Sequence, residues 1–252
     1  MQHRTTLAAG PALRVERVVS LAPRGAWSCA YLAPGARVLL PGSDTVELRR
    51  GGGNLLADPL TAVALEAGEP DTLGRWAPPE SDTFVVSAAG NGAAPMPAGG
   101  AWLLPPHLLY MLRCHWASLG RGRVGASTPS VMRAVFRDAR PAPVDEAPPV
   151  RRARRLLATG AGPALSLHDV ADAACTTPFH LARLFRRETG STLHQYRHAL
   201  RIAAALGHLA RGERDLAGLA HELGYCSQSH FGAMFRKLLS VTPSQARAAL
   251  AA

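Results

Sequence analysis

The second half of the chain repeats itself. Leu167, Val170 and Ala171 recur as Leu216, Leu219 and Ala220 after 49 residues, and Leu181, Phe185, Arg186, Gln195 and Arg197 recur as Phe231, Phe235, Arg236, Gln245 and Arg247 after 50. The extra residue falls in the second turn, near Gly224. A period of this length in apolar residues marks a repeated supersecondary unit packed on a shared core. Each unit reads as a short helix, a tight turn and a second helix. In the first, Leu167 to Ala174 leads, Cys175 to Thr177 turns, and Thr177 caps a helix that starts at Pro178 and faces Leu181, Leu184 and Phe185 inward. In the second, Leu216 to Leu223 leads, Gly224 opens the turn, and Ser227 caps the helix that carries Phe231, Met234 and Phe235. Leu193 to Arg211 reads as the connecting helix, with Tyr196, Leu200, Ala203, Ala204 and Leu206 available for packing. Gly207 inside it costs about 1 kcal/mol relative to Ala, which predicts a frayed end. Two helices joined by such a turn form a helix-turn-helix, whose second helix fits a major groove.

Charge follows the same division. The chain carries 28 Lys+Arg against 18 Asp+Glu, a net charge of +10. Residues 151–252 hold 14 basic and 6 acidic side chains, whereas 1–150 hold 14 and 12. An excess confined to one end suits a polyanion, either nucleic acid or an anionic membrane surface. General solubility is the alternative. Lys237 is the only lysine, so the preference for Arg belongs to the whole chain and does not itself signal phosphate recognition.

At 252 residues the chain has room for one large domain or two ordinary ones, and at 47% hydrophobic it must bury a core. Pro141 to Val150, PAPVDEAPPV, reads as a linker and divides the chain into 1–140, 141–150 and 151–252. In the first part, Val15 to Leu21, Arg37 to Leu40, Thr45 to Leu48, Thr61 to Leu65 and Thr83 to Val86 read as short strands separated by turn signals, which suggests a sandwich or barrel. His107 to Leu119 and Ser130 to Ala139 then carry apolar residues at helical spacing. The expected fold class is α+β: a β-rich body with trailing helices, followed by an all-α region of two helix-turn-helix units joined by a helix. The apolar faces of the two trailing helices predict that one of them mediates a homodimer.

Several functions are disfavoured. Every apolar run is interrupted before it could cross a membrane, and Arg14, Glu16 and Arg17 stand where a signal peptide needs an unbroken apolar stretch. Cys29, Cys114, Cys175 and Cys226 show no C-x-x-C spacing, so neither a zinc site nor a disulfide scaffold is suggested, and a cytoplasmic location is expected. The first 150 residues hold only His3, His107 and His115, with no H-x-H pair, so no metal, no cofactor and no catalytic residues are expected. Cys114 and His115 are neighbours that point apart on a helix. Cys175 and Cys226 at the two turns invite a redox reading, against which stands the usual role of free cysteines as small buried apolar residues.

The strings SLHDVADAACTTPFHLARLFRRETGSTLHQYR and LAGLAHELGYCSQSHFGAMFRKLLSVTPSQAR resemble the double helix-turn-helix domain of AraC/XylS-type bacterial transcriptional regulators, over about Arg151 to Leu250. The first part resembles, more loosely, the cupin-like sensing domains of that family. The resemblance implies sequence-specific binding of double-stranded DNA, a small-molecule effector or a dimer contact in the first domain, and contact with RNA polymerase. It places base-reading roles on Phe179, His180 and Arg183 in the first unit and on Gln228, Ser229 and His230 in the second. Phosphate contacts fall to Thr177, Arg186, Arg187, Ser227, Arg236 and Lys237. Arg183 can offer two donors to guanine, Gln228 can pair with adenine, and cations late in a helix suit phosphates. The alternative for each is a solvated surface side chain, and for Phe179 a place in the core. Arg151, Arg152, Arg154 and Arg155 read as a further basic helix face near DNA. Two departures stand out: Ser240 where the second unit usually has Gly, and Ala246 where it usually has an aromatic residue. A second function class remains open at this stage: an effector-binding or interaction protein, with residual cupin chemistry, that binds DNA only nonspecifically.

Overall fold

Strands whose side chains alternate between two buried faces read as nearly continuous apolar runs, and VLL, AVAL and FVV are runs of that kind. The computed structural model describes all residues except 1, 11, 29–30, 33, 51–52, 77–79, 90–96, 98, 123–126, 144, 160–164 and 252. Eleven strands are seen among the described residues: β1 (Gln2–Ala9), β2 (Leu13–Ser20), β3 (Tyr31–Leu32), β4 (Arg37–Pro41), β5 (Val46–Arg50), β6 (Gly53–Ala57), β7 (Thr61–Leu65), β8 (Pro70–Arg75), β9 (Ser81–Ala88), β10 (Gly100–Leu103) and β11 (Arg140–Pro141). They form a large sheet ordered β1-β2-β9-β4-β7-β10-β11 and a small one ordered β3-β8-β5-β6. All the strand pairs are antiparallel.

The large sheet is the middle of three layers. Val18, Leu39, Val63 and Val85 face Leu48 and Leu55 of the small sheet. Their chain neighbours Val38, Leu40, Ala62, Ala64 and Val86 face the opposite way, onto α1 (Pro106–Gly120) and α2 (Thr128–Asp138). A one-residue slip in any of these strands would exchange the two cores. Asp82 at the start of β9 ties the layers together. It takes hydrogen bonds from Arg17 Nε at 2.8 Å and from Ser43 N and Oγ at 2.9 and 2.7 Å, while Arg113 of α1 donates to Gly42 O at 2.6 Å. A Cβ on Gly42 would lie 2.5 Å from the Asp82 carboxylate, so only glycine fits there.

The five expected strands and two trailing helices are present, with ends within two residues of those read from the sequence. The missed strands have plain reasons. β1 is a polar edge strand exposed over Gln2–Thr6, and β6, β8 and β10 each have a Gly or Pro at or near an end that masks the apolar pattern. Cys29 and Val144 lie outside the described residues.

Helices α3 (Pro148–Ala158), α4 (Leu167–Ala173), α5 (Pro178–Thr189), α6 (Leu193–Ala210), α7 (Leu216–Glu222), α8 (Gln228–Leu239) and α9 (Pro243–Leu250) complete the chain. The segment read as a linker is ordered and packed over its described residues: Arg140–Pro141 pairs with β10, Ala142 and Glu146 are buried, and α3 begins inside it. Gly207 does not fray α6. It is buried, and a Cβ there would sit 3.5 Å from Arg211 Nη1 and 3.8 Å from Arg113 Nη1, where α1 crosses α6. The apolar face of α1 is spent on the large sheet, while other residues of the helix pack against α6, α8 and α9.

The junction centres on Arg154, which is 1% exposed. Its guanidinium donates to Asp58 Oδ2 at 3.1 Å, Glu146 Oε1 at 2.8 Å, Thr61 Oγ1 at 2.6 Å and Tyr196 Oη at 2.9 Å, and Tyr196 donates in turn to Asp58. Burial alone would depress the guanidinium, but the carboxylates of Asp58 and Glu146 outweigh it and keep it charged. Burial pushes the Tyr196 phenol well up, so it stays a neutral donor. The four arginines expected to face DNA are thus a correction. Arg154 is buried, Arg151 and Arg155 lie 3.8 and 3.7 Å from Glu47, and Arg152 donates to Ala174 O at 3.1 Å. Removing one member of a buried pair costs about 3–5 kcal/mol because the remaining charge is stranded. Asp58→Ala is therefore expected to lower unfolding stability by that amount, and Asp58→Asn by less, as measured by urea denaturation followed by circular dichroism.

Candidate nucleic-acid interface

Local capping builds two matching units. Thr177 Oγ1 accepts from His180 N at 3.3 Å and Ser227 Oγ from His230 N at 3.1 Å, fixing the starts of α5 and α8. Thr192 and Thr242 each form a capping box, with Gln195 and Gln245. Leu181 and Phe185 in α5, and Phe231 and Phe235 in α8, are buried at equivalent places. The two turns solve one backbone problem differently. Cys175 takes the left-handed conformation at φ 55°, where the second unit uses Gly224 at φ 74°. At the far ends of the reading helices Gly190 has φ 74° and Ser240 has φ 60°.

The opposite faces of α5 and α8 are open. Phe179 is 82% exposed, which removes the core alternative for it. His180, Arg183, Arg186 and Arg187 are exposed along the same helix, with Arg187 paired to Glu188 at 3.0 Å. On α8, Gln228, Ser229, His230, Ala233, Arg236 and Lys237 are exposed. Apart from its chain neighbours and the nearby backbone of α8, no protein atom lies within 4 Å of a Cβ built on Gly232, so packing does not require glycine there. The sequence-derived candidates therefore gather on the exposed faces and caps of two helices. Cys175 and Cys226 are exposed, against the expectation that they are small buried apolar groups, and Cys226 Sγ lies 3.1 Å from His230 Nδ1. Sequence reasoning missed a further group beside α8, namely His194, Arg197, His198 and Arg201 of α6. Their H-x-x-x-H and R-x-x-x-R spacings are the signal that could have found it.

Among the described residues no three His, Cys, Asp or Glu side chains are grouped to hold a metal. Among them, too, no helix is long and apolar enough to cross a membrane.

Two capped helix-turn-helix units on a common connecting helix define a double helix-turn-helix DNA-binding protein. Residues 170–249 match the family pattern described as a helix-turn-helix domain. The regulatory protein SoxS of Salmonella typhimurium is 35% identical over 83 residues, which are 33% of this chain and 78% of SoxS. The HTH-type transcriptional regulator NimR of Escherichia coli is 34% identical over 103 residues, 41% of this chain and 37% of NimR. Among solved structures, ToxT from Vibrio cholerae aligns over 94% of this chain and 97% of its own, with 12% identity and a TM-score of 0.41. The chain belongs to the AraC/XylS-type family of transcriptional regulators.

The family departures are visible as packing. Ala246 is fully buried without an aromatic ring, and Ser240 holds a left-handed backbone that favours glycine. Ser240→Gly is expected to stabilise the chain by about 0.5–1 kcal/mol, read as a rise in thermal midpoint.

Proposed function

We propose that the chain is a transcription regulator that reads double-stranded DNA through α5 and α8, with residues 1–140 as the controlling domain, 141–150 as the connection and 151–252 as the reading domain. The observation that carries this reading is the pair of equivalent helix starts, each capped by a hydroxyl and each exposing polar or aromatic side chains in its first turn. Phe179, His180 and Arg183 read bases from α5, and Gln228, Ser229 and His230 meet bases from α8. Thr177, Arg186, Arg187, Ser227, Arg236 and Lys237 hold phosphates. The two helices contribute unequally, because the position of Arg183 is occupied by Ala233 in the second unit. A methyl group can touch thymine but cannot donate to guanine. The β body reaches the reading units through Arg154 and Tyr196, so a change in that body acts on the set of the two helices.

The test is selection of duplexes from a randomised library by the full-length protein. A defined sequence should emerge, and its binding should weaken steeply as salt rises. Arg183→Ala should cost about 1–3 kcal/mol on that site and relax base preference, while Gln228→Ala lowers affinity with less change in preference. Failure to enrich any sequence would favour the nonspecific binder instead.

A further inference from the structure

Along α6, His194, Arg197, His198 and Arg201 recur at three- and four-residue steps and so share one stripe of the helix. That stripe borders the start of α8. His198 is 7% exposed, with Nδ1 3.4 Å from the Tyr225 hydroxyl and Nε2 3.2 Å from His194 Nε2. The Arg201 guanidinium lies 5.4 Å from the centre of the Tyr225 ring, which His230 meets edge-on, also at 5.4 Å. Burial pushes the His198 imidazole down to about 4, and His194, Arg201, His230 and Arg197 push it the same way. His198 is therefore neutral at physiological pH.

Both contacts allow either tautomer, and one assignment gives the pair a direction. With its Nδ1–H donated to the Tyr225 hydroxyl, His198 presents the Nε2 lone pair to the Nε2–H of His194. A second proton on His194, at Nδ1, makes that bond charge-assisted and strengthens it.

We propose that this stripe is a proton-linked phosphate site, in which Arg197 and protonated His194 hold a backbone phosphate of the DNA strand beside the groove that α8 enters. The site rests on the DNA-reading function proposed above. His194 meets His198, with Arg197 and Arg201 on the same stripe of α6, while Tyr225 and His230 from the turn and start of α8 reach that stripe at His198 and Arg201. A bound phosphate favours the imidazolium, so the complex holds more protons than the free protein and DNA, and affinity rises as pH falls. Histidine is the side chain suited to such a change near neutrality.

The experiment uses the full chain and the duplex it selects. Binding is followed by fluorescence anisotropy between about pH 6 and pH 8 at several salt concentrations, and proton uptake is measured by calorimetry in two buffers of different ionisation heat. Wild type should bind several-fold more tightly at the acid end and take up protons on binding. His194→Gln should keep the selected sequence but lose most of the pH dependence and uptake. Arg197→Gln should reduce the slope of log affinity against log salt by about one. A His194→Gln profile that overlays wild type, or an Arg197→Gln slope that does not change, overturns the phosphate site while leaving DNA reading intact. A wild-type chain that selects no duplex overturns both.

Discussion

A buried guanidinium holds the two halves of this molecule in one arrangement. Arg154 enters from α3, but its partners come from three other places: Asp58 and Thr61 at the corner between β6 and β7, Glu146 before α3, and Tyr196 on α6. Desolvating an ion is costly enough that the cluster is tolerated only when its charges and hydroxyls meet together. An apolar contact could slide; five polar groups sharing hydrogen bonds in a buried site cannot. The connecting helix between the reading units is thereby fastened to the β body through Tyr196. The hydrophobic core runs across the same junction, from Val63 and Leu103 to Val150 and Phe185 without interruption.

The reading region gains its regularity from caps as well as from apolar spacing. The same hydroxyl closes the start of each reading helix, and the same Thr–Gln box opens the helix that follows. Two of the differences between the units concern backbone strain. Cys175 accepts a left-handed conformation that Gly224 adopts freely, and Ser240 accepts one that Gly190 adopts freely. Each unit carries one such residue, so strain is shared between them.

Charge is used in three ways within a hundred residues. Arg151, Arg154 and Arg155 are turned to carboxylates of the β body, Arg183 and its neighbours on α5 stand in solvent, and Arg197 and Arg201 press on a buried histidine beside α8. Net charge by itself does not separate these uses. An arginine beside a proline-rich segment and an arginine on a reading helix contribute equally to the count, although one is buried and the other open.

The sequence by itself determined the repeat, the caps, the two reading helices and the strands whose apolar runs fill both faces of the large sheet. Those features are local: they depend on spacing of 2 or 3.6 residues and on hydroxyls placed one step before a helix. The outward face of Arg183 followed from the same spacing, whereas Phe179 could equally have entered the core until the fold left it 82% exposed. Tertiary structure alone decided what the arginines of α3 face, that Gly207 lies under α1, and that His198 meets Tyr225. Each of these joins residues that the chain separates by tens of positions. A buried charge and a crowded histidine take their character from neighbours, and neighbours distant in sequence are set only when the layers close.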